Sequence, residues 1–130
     1  MPRAARVTFA NSLYHIITRG NQKQSIFIAD LDYKRYLRML QVYKNKFGFK
    51  LYCFCLMPNH VHLIMEVADP FYLNKIMRGI NLSYTLYFNN KYSKVGHLWQ
   101  DRFKSKVIAA ENYLVGCISY IENNPLRANI

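Results

Sequence analysis

A chain of 130 residues with 18 Lys plus Arg against seven Asp plus Glu carries a formal net charge of +11. That length fits one domain with a real core and not two, and 52% hydrophobic with 19% charged residues excludes a disordered chain. No apolar run approaches the roughly 18 residues needed to span a bilayer, and the start, Met1-Pro2-Arg3-Ala4-Ala5-Arg6, is basic without the apolar stretch of a secretion signal; a cytoplasmic protein is expected.

The three cysteines agree with that location. Cys53 and Cys55 alternate on an apolar segment and Cys117 falls in a helical one, a spacing that matches no usual zinc or disulfide pattern, so small buried hydrophobes are expected. The basic residues are spread along the chain, so a positive surface has to be assembled by folding, and its partner is a polyanion. Eleven Tyr and eight Phe belong mostly to the core, but basic surface with exposed aromatics suits unstacked, single-stranded nucleic acid. A membrane surface is the weaker alternative, because no helix sets a lysine-rich face against a strongly apolar one.

In chain order, Leu13 to Thr18 is aromatic and β-branched and reads as a strand, ended by the turn Arg19-Gly20-Asn21. Asp30 or Asp32 caps a helix in which Tyr33, Tyr36, Leu37, Leu40, Tyr43 and Phe47 recur at helical spacing, and Gly48 stops it. Residues 49–56 form a second strand, Met57-Pro58-Asn59 a turn, and 60–67 a third strand. Asp69-Pro70 opens a long helix with Leu73, Ile76, Met77, Ile80, Tyr84, Tyr87 and Phe88 along one stripe. After a loop at 92–96 come a fourth strand at 103–109 and a last helix at 111–123, closed by Asn124-Pro125. The order βαββαβ plus a helix predicts an α+β, ferredoxin-like single domain: an antiparallel four-stranded sheet with two helices on one face.

The third strand separates its faces. Val61, Leu63, Met65 and Val67 make an apolar side for the helices, while His60, His62, Ile64 and Glu66 make the other. Packing imidazoles under the helices would cost about 1–3 kcal/mol for each unsatisfied group, so the histidines are expected on the open face. Two imidazoles on one face can chelate a divalent ion. On the last helix Tyr120 and Asn124 stand one turn apart, so a phenol and an amide oxygen can approach one ion together. A phenol with pKa near 10 is only about 0.1% ionised at pH 7, a deficit of about 4 kcal/mol for a nucleophile. A nearby cation offsets part of it and polarises phosphate oxygens. Two imidazoles and an amide leave the site open, which favours Mg²⁺ or Mn²⁺ over the four-ligand closure of structural zinc.

The residues also resemble a known family. Tyr14-His15-Ile16-Ile17-Thr18-Arg19-Gly20-Asn21, then Met57-Pro58-Asn59-His60-Val61-His62-Leu63-Ile64, then Gly96-His97-Leu98-Trp99-Gln100-Asp101-Arg102-Phe103-Lys104-Ser105, then Tyr120-Ile121-Glu122-Asn123-Asn124-Pro125-Leu126-Arg127-Ala128 look like successive motifs of the single-tyrosine HUH transposases. They are most similar to the REP-associated tyrosine transposases, whose branch the opening Met1-Pro2-Arg3 with Arg6 fits. The chain ends a few residues beyond the last block, where many relatives continue.

The resemblance implies His60 and His62 as the metal-binding pair, Tyr120 as nucleophile and Asn124 as a further ligand. It implies cleavage and rejoining of single-stranded DNA, often beside a hairpin, through a 5′-phosphotyrosine and a freed 3′-hydroxyl, by a monomer or homodimer in the cytoplasm at the nucleoid. For DNA contacts, Arg102, Lys104 and Lys106 alternate onto one face of the fourth strand, and Arg19 and Lys23 flank the first turn. Arg3 and Arg6 form a basic arm, Arg127 follows the nucleophile helix, and Trp99 either stacks a base or packs in the core. The rival from another class is a domesticated, non-cleaving protein that recognises repeat hairpins. An RNA-binding ferredoxin-like domain fits less well, because it needs aromatics where the histidines stand.

Overall fold

The computed structural model describes residues 12–108. These contain β1 (Ser12–Arg19), α1 (Asp30–Phe47), β2 (Lys50–Met57), β3 (His60–Val67), α2 (Pro70–Tyr92) and β4 (Lys104–Val107). The sheet order is β2-β3-β1-β4 with every neighbouring pair antiparallel, which is the ferredoxin-like arrangement expected. β1 and β3 are therefore the central strands. They pair along their whole length, with Ser12 opposite Val67 and Arg19 opposite His60.

Strand alternation sends one set of side chains under the helices. Tyr14 and Ile16 of β1, Leu56 of β2, and Val61, Leu63, Met65 and Val67 of β3 join one core with Tyr36 and Leu40 of α1 and the stripe Leu73, Ile76, Met77, Ile80, Tyr84 and Phe88 of α2. Each large side chain fully buried there contributes about 1.5–3 kcal/mol relative to exposure. The packing leaves the opposite face of the sheet, the open face, to the other set. In β2 the register shifts between Leu51 and Cys53, so Tyr52 is an extra residue that donates to Glu66 Oε1 at 2.5 Å. That bulge puts Cys55 opposite His62 and Met57 opposite His60, on the open face with the histidines. Cys53 and Cys55 are both buried.

The helix ends follow local chemistry with one surprise. Asp69 caps α2 by accepting from the Phe71 N–H at 2.9 Å, ahead of Pro70 in the first turn. Gly48, at φ 73°, closes α1 in the left-handed conformation that glycine adopts most cheaply. The N-cap of α1, however, is Ala29, which has no side-chain acceptor. Asp32 supplies it from inside the first turn, accepting from the Ile28 and Ala29 N–H groups, both at 2.9 Å. The same carboxylate, fully buried, also accepts from Tyr87 (2.6 Å), Lys91 (2.8 Å) and Tyr92 (2.6 Å) at the far end of α2. One side chain thus ties the start of α1 to the end of α2.

Burial alone would raise the Asp32 pKa, but the hydrogen bonds from Lys91, Tyr87, Tyr92 and the Ala29 N–H outweigh it and hold the carboxyl well below the usual carboxylate range. Asp32→Ala removes the acceptor of five donors at once and is expected to destabilise the fold by about 3–5 kcal/mol in urea titration. Because the folded pKa is depressed, the stabilisation by Asp32 is complete above about pH 4, the unfolded value, and is lost as pH falls further. Asp32→Asn should flatten that acid limb.

The strands of the structure differ slightly from expectation: β2 starts and ends one residue later, and β4 covers 104–107 rather than 103–109. The predicted last helix and Cys117 lie outside the described residues. Among the described residues no helix is long and apolar enough to cross a membrane.

Candidate active site

The open face carries Leu13, His15, Ile17 and Arg19 from β1 beside His60, His62, Ile64 and Glu66 from β3. Toward one end Leu13, Cys53 and Ile64 form a small buried apolar cluster. Toward the other the histidines gather. His60 and His62 are half-buried, with ring centroids 4.9 Å apart at 81°. A third histidine joins them: His15 lies diagonally across from His62 in the β1–β3 ladder. Its Nε2 is 3.1 Å from His62 Nδ1, and the two rings stack at 5.3 Å. His60 Nδ1 lies 2.7 Å from Asn59 Oδ1.

The field at this spot favours neutral rings. Burial, and after it the Arg19 cation, lowers the pKa of His60. Burial lowers His15 as well, with Lys106 adding to it. His62 goes furthest, to about 4, through burial first and then the charges of His60, His15 and Arg19. Neutral imidazole is the form that binds metal. The donor chemistry of His60 and His62 therefore fits an open divalent-ion site at neutral pH. Among the described residues no group of three or more His, Cys, Asp or Glu could hold an ion. His15 engages the Nδ1 edge of His62 and does not complete such a group.

The approach to the histidines is clamped by backbone hydrogen bonds. The Gly20 N–H, at the end of β1, donates to the Asn59 carbonyl at 2.8 Å, and the Ile26 and Phe27 N–H groups both reach the Pro58 carbonyl, at 2.7 and 3.2 Å. The turn that delivers His60 is thereby fixed from two sides. Gly20 has no room for a side chain: a Cβ there would sit 2.5 Å from the Gln24 carbonyl oxygen and 3.0 Å from an Ile26 methyl. Gly20→Ala is expected to cost about 1–3 kcal/mol, read as a lower urea midpoint.

Basic side chains surround this end of the face. Lys104 and Lys106 stand opposite Ile17 and His15, so both project from the open face and are exposed. Arg102 precedes the strand and, with Arg19, Lys104, Ile17, Gln100 and Asp101, lines a small cleft. Lys23 is exposed on the turn after β1, where it and Gln22 hold left-handed backbone, φ 60° and 53°. Trp99 packs against the core, with its indole N–H donating to the Asn81 carbonyl at 3.0 Å; packing accounts for its position. Arg3, Arg6, Tyr120, Asn124 and Arg127 lie outside the described residues.

His15 and Asn59 were not singled out from the sequence as site residues. A signal for His15 was present: it has the parity of Leu13 and Ile17, on a strand that the topology places beside the His-Val-His strand. Without the β1–β3 register, its distance from His62 could not be read.

Comparisons with known proteins bear on the fold and the family. Among curated proteins, none matches the sequence. Of solved structures, a REP-associated tyrosine transposase bound to a REP hairpin superposes with a TM-score of 0.70 at 16% identity, over 90% of this chain and 68% of the other. A protein from Deinococcus radiodurans R1 described as a candidate transposase gives 0.61 at 17% identity, over 95% of each chain. At those identities the likeness establishes the fold. The family model for IS200-like transposases matches residues 8–124, nearly the whole length. By that match the chain belongs to the IS200-like transposase family and is a DNA transposase.

Proposed function

We propose that this transposase cuts and rejoins single-stranded DNA beside a hairpin or repeat. Tyr120 is the nucleophile, and His60, His62 and Asn124 hold a Mg²⁺ or Mn²⁺ ion. The observation that carries the reading is the pair of half-buried imidazoles on the open face, bordered by Arg19, Arg102, Lys104 and Lys106. The solved relative bound to a REP hairpin supports hairpin-bearing single strands as substrate. A DNA substrate makes a cytoplasmic protein at the nucleoid the consistent location.

The Tyr120 oxygen attacks the scissile phosphorus, a P–O bond forms, and the bond to the 3′-oxygen breaks. The products are a 5′-phosphotyrosine and a 3′-hydroxyl, to which a proton is delivered. Attack by a 3′-hydroxyl on the phosphotyrosine reverses the step and rejoins the strand, so no external energy source is needed. A bound divalent ion supplies polarisation of the phosphate oxygens and favours the phenolate. The cleft between Arg19, Arg102 and Lys104 receives a neighbouring phosphate, and Lys106 and Lys23 extend the basic track; Arg3, Arg6 and Arg127 add contacts from the ends of the chain. Trp99 stays with the core.

The test incubates the full chain with a library of hairpin-bearing single strands and Mn²⁺, sequences the cut ends, and maps any DNA-bearing peptide. Cleavage with an adduct on Tyr120 is expected. Hairpin binding with no cleavage and no adduct would overturn the reading in favour of a non-cleaving repeat-binding protein.

A further inference from the structure

The two histidines of the candidate site do not stand alone: each has its Nδ1 engaged by a neighbouring side chain. Asn59 Oδ1, 2.7 Å from His60 Nδ1, is a carbonyl oxygen and only accepts, so the proton of that bond is on His60 Nδ1. His15 Nε2, 3.1 Å from His62 Nδ1, can accept in the same way when the His15 proton is on its own Nδ1. We infer that Asn59 and His15 are positioning residues that hold His60 and His62 in the Nδ1–H tautomer, presenting Nε2 of both rings to the divalent ion.

The chemistry demands such a device. A neutral imidazole has one lone-pair nitrogen, and in the other tautomer the Nε2 of either ring carries a proton and cannot ligate. Outer partners that fix the tautomer of a ligating histidine commonly change metal affinity by 10–100-fold when removed. Here both partners are also rigidly mounted. Asn59 sits in the turn whose carbonyl accepts from Gly20. His15 belongs to the central strand beside β3 and stacks on His62 within 10° of parallel. The two devices differ in strength: an amide oxygen can only accept, whereas His15 must adopt a matching tautomer, so the His62 arrangement depends on two rings at once.

The inference rests on the reading of His60 and His62 as metal ligands, and its test is separable from DNA cleavage. Metal-free full-length protein labelled with ¹⁵N in histidine is examined by long-range ¹H–¹⁵N correlation, and Mn²⁺ affinity is measured by calorimetry without DNA. Wild type should show both His60 and His62 protonated at Nδ1. His15→Phe should shift His62 toward the Nε2–H form and weaken Mn²⁺ binding 10–100-fold, while His15→Gln, whose side-chain oxygen reaches the position of the lost Nε2 acceptor, recovers most of it. Asn59→Leu should do the same at His60, with Asn59→Asp as the rescuing variant.

An Nε2–H tautomer at either ring in wild type overturns the inference, and so does Mn²⁺ affinity unchanged in both His15→Phe and Asn59→Leu. If His15→Phe does not fold, the wild-type tautomers and the Asn59 pair still decide it. Tautomers as expected without any DNA adduct would count against the transesterase reading alone. Adduct formation with the wrong tautomers would count against this inference alone.

Discussion

Tyr120→Phe is expected to abolish both strand cleavage and the covalent DNA adduct, by about 10⁴-fold or more, while the urea midpoint stays within error of wild type. Phenylalanine keeps the ring and removes only the oxygen that must bond to phosphorus. The other tyrosines make poor substitutes. Tyr14, Tyr36 and Tyr84 are buried in the core under the helices, and burial pushes the last two further from ionisation. Tyr87 and Tyr92 donate to Asp32, and burial together with those bonds raises both. Tyr33 is raised by burial and by Asp30 and Asp32, and Tyr43 and Tyr72 belong to the helices that pack on the opposite face of the sheet. Tyr52 is tied to Glu66, a bond that makes its proton harder to lose. Tyr52→Phe should therefore leave adduct formation within a few-fold of wild type. An adduct that survives Tyr120→Phe with cleavage intact would transfer the role to another side chain.

Most of the fold was legible because strand and helix periods in this chain are clean. Val61, Leu63, Met65 and Val67 alternate without a break, and α2 repeats its apolar stripe from Leu73 to Phe88. Once two helices are assigned to one face, the position of His60 and His62 on the other follows from parity alone. What local pattern cannot supply is register and reach. The bulge at Tyr52 reverses the parity of β2, and no turn residue announces it. Asp32 read only as one of two candidate helix caps, yet it is the buried joint between two helices, because its five donors include groups 55 to 60 residues away in sequence. His15 became visible as a partner of His62 only when β1 was set beside β3, and Asn59, although next to His60 in the chain, only when the turn set its amide against the ring. The basic track shows the same limit from the other side. Alternation paired Lys104 with Lys106 correctly, but only the pairing of β4 with β1 puts that row next to Arg19 and the histidines.

Replacing His60 and His62 together by alanine should remove divalent-ion dependence and reduce cleavage by at least about 10³-fold, with hairpin binding changed only a few-fold. The two effects separate because different groups carry them. In the proposed reading, phosphate attraction comes from Arg19, Arg102, Lys104 and Lys106, which the double variant leaves in place. Activation of a phenol that is almost wholly protonated at pH 7 requires positive charge at the reacting oxygens, and the neutral histidines supply none themselves. In the proposed mechanism they act only by holding an ion. The single variants should not be equivalent: His62→Ala removes a ligand and also leaves His15 without the nitrogen it faces at 3.1 Å, whereas His60→Ala leaves the His15–His62 pair intact. His62→Ala is therefore expected to lower the urea midpoint more than His60→Ala, even where both lose activity alike. Calorimetry with Mn²⁺, gel binding of a hairpin strand and adduct formation read the three quantities independently. Cleavage that persists in the double variant and withstands chelator would refute the metal role, and cleavage lost in step with hairpin binding would mean that the histidines serve the DNA surface instead of the chemistry.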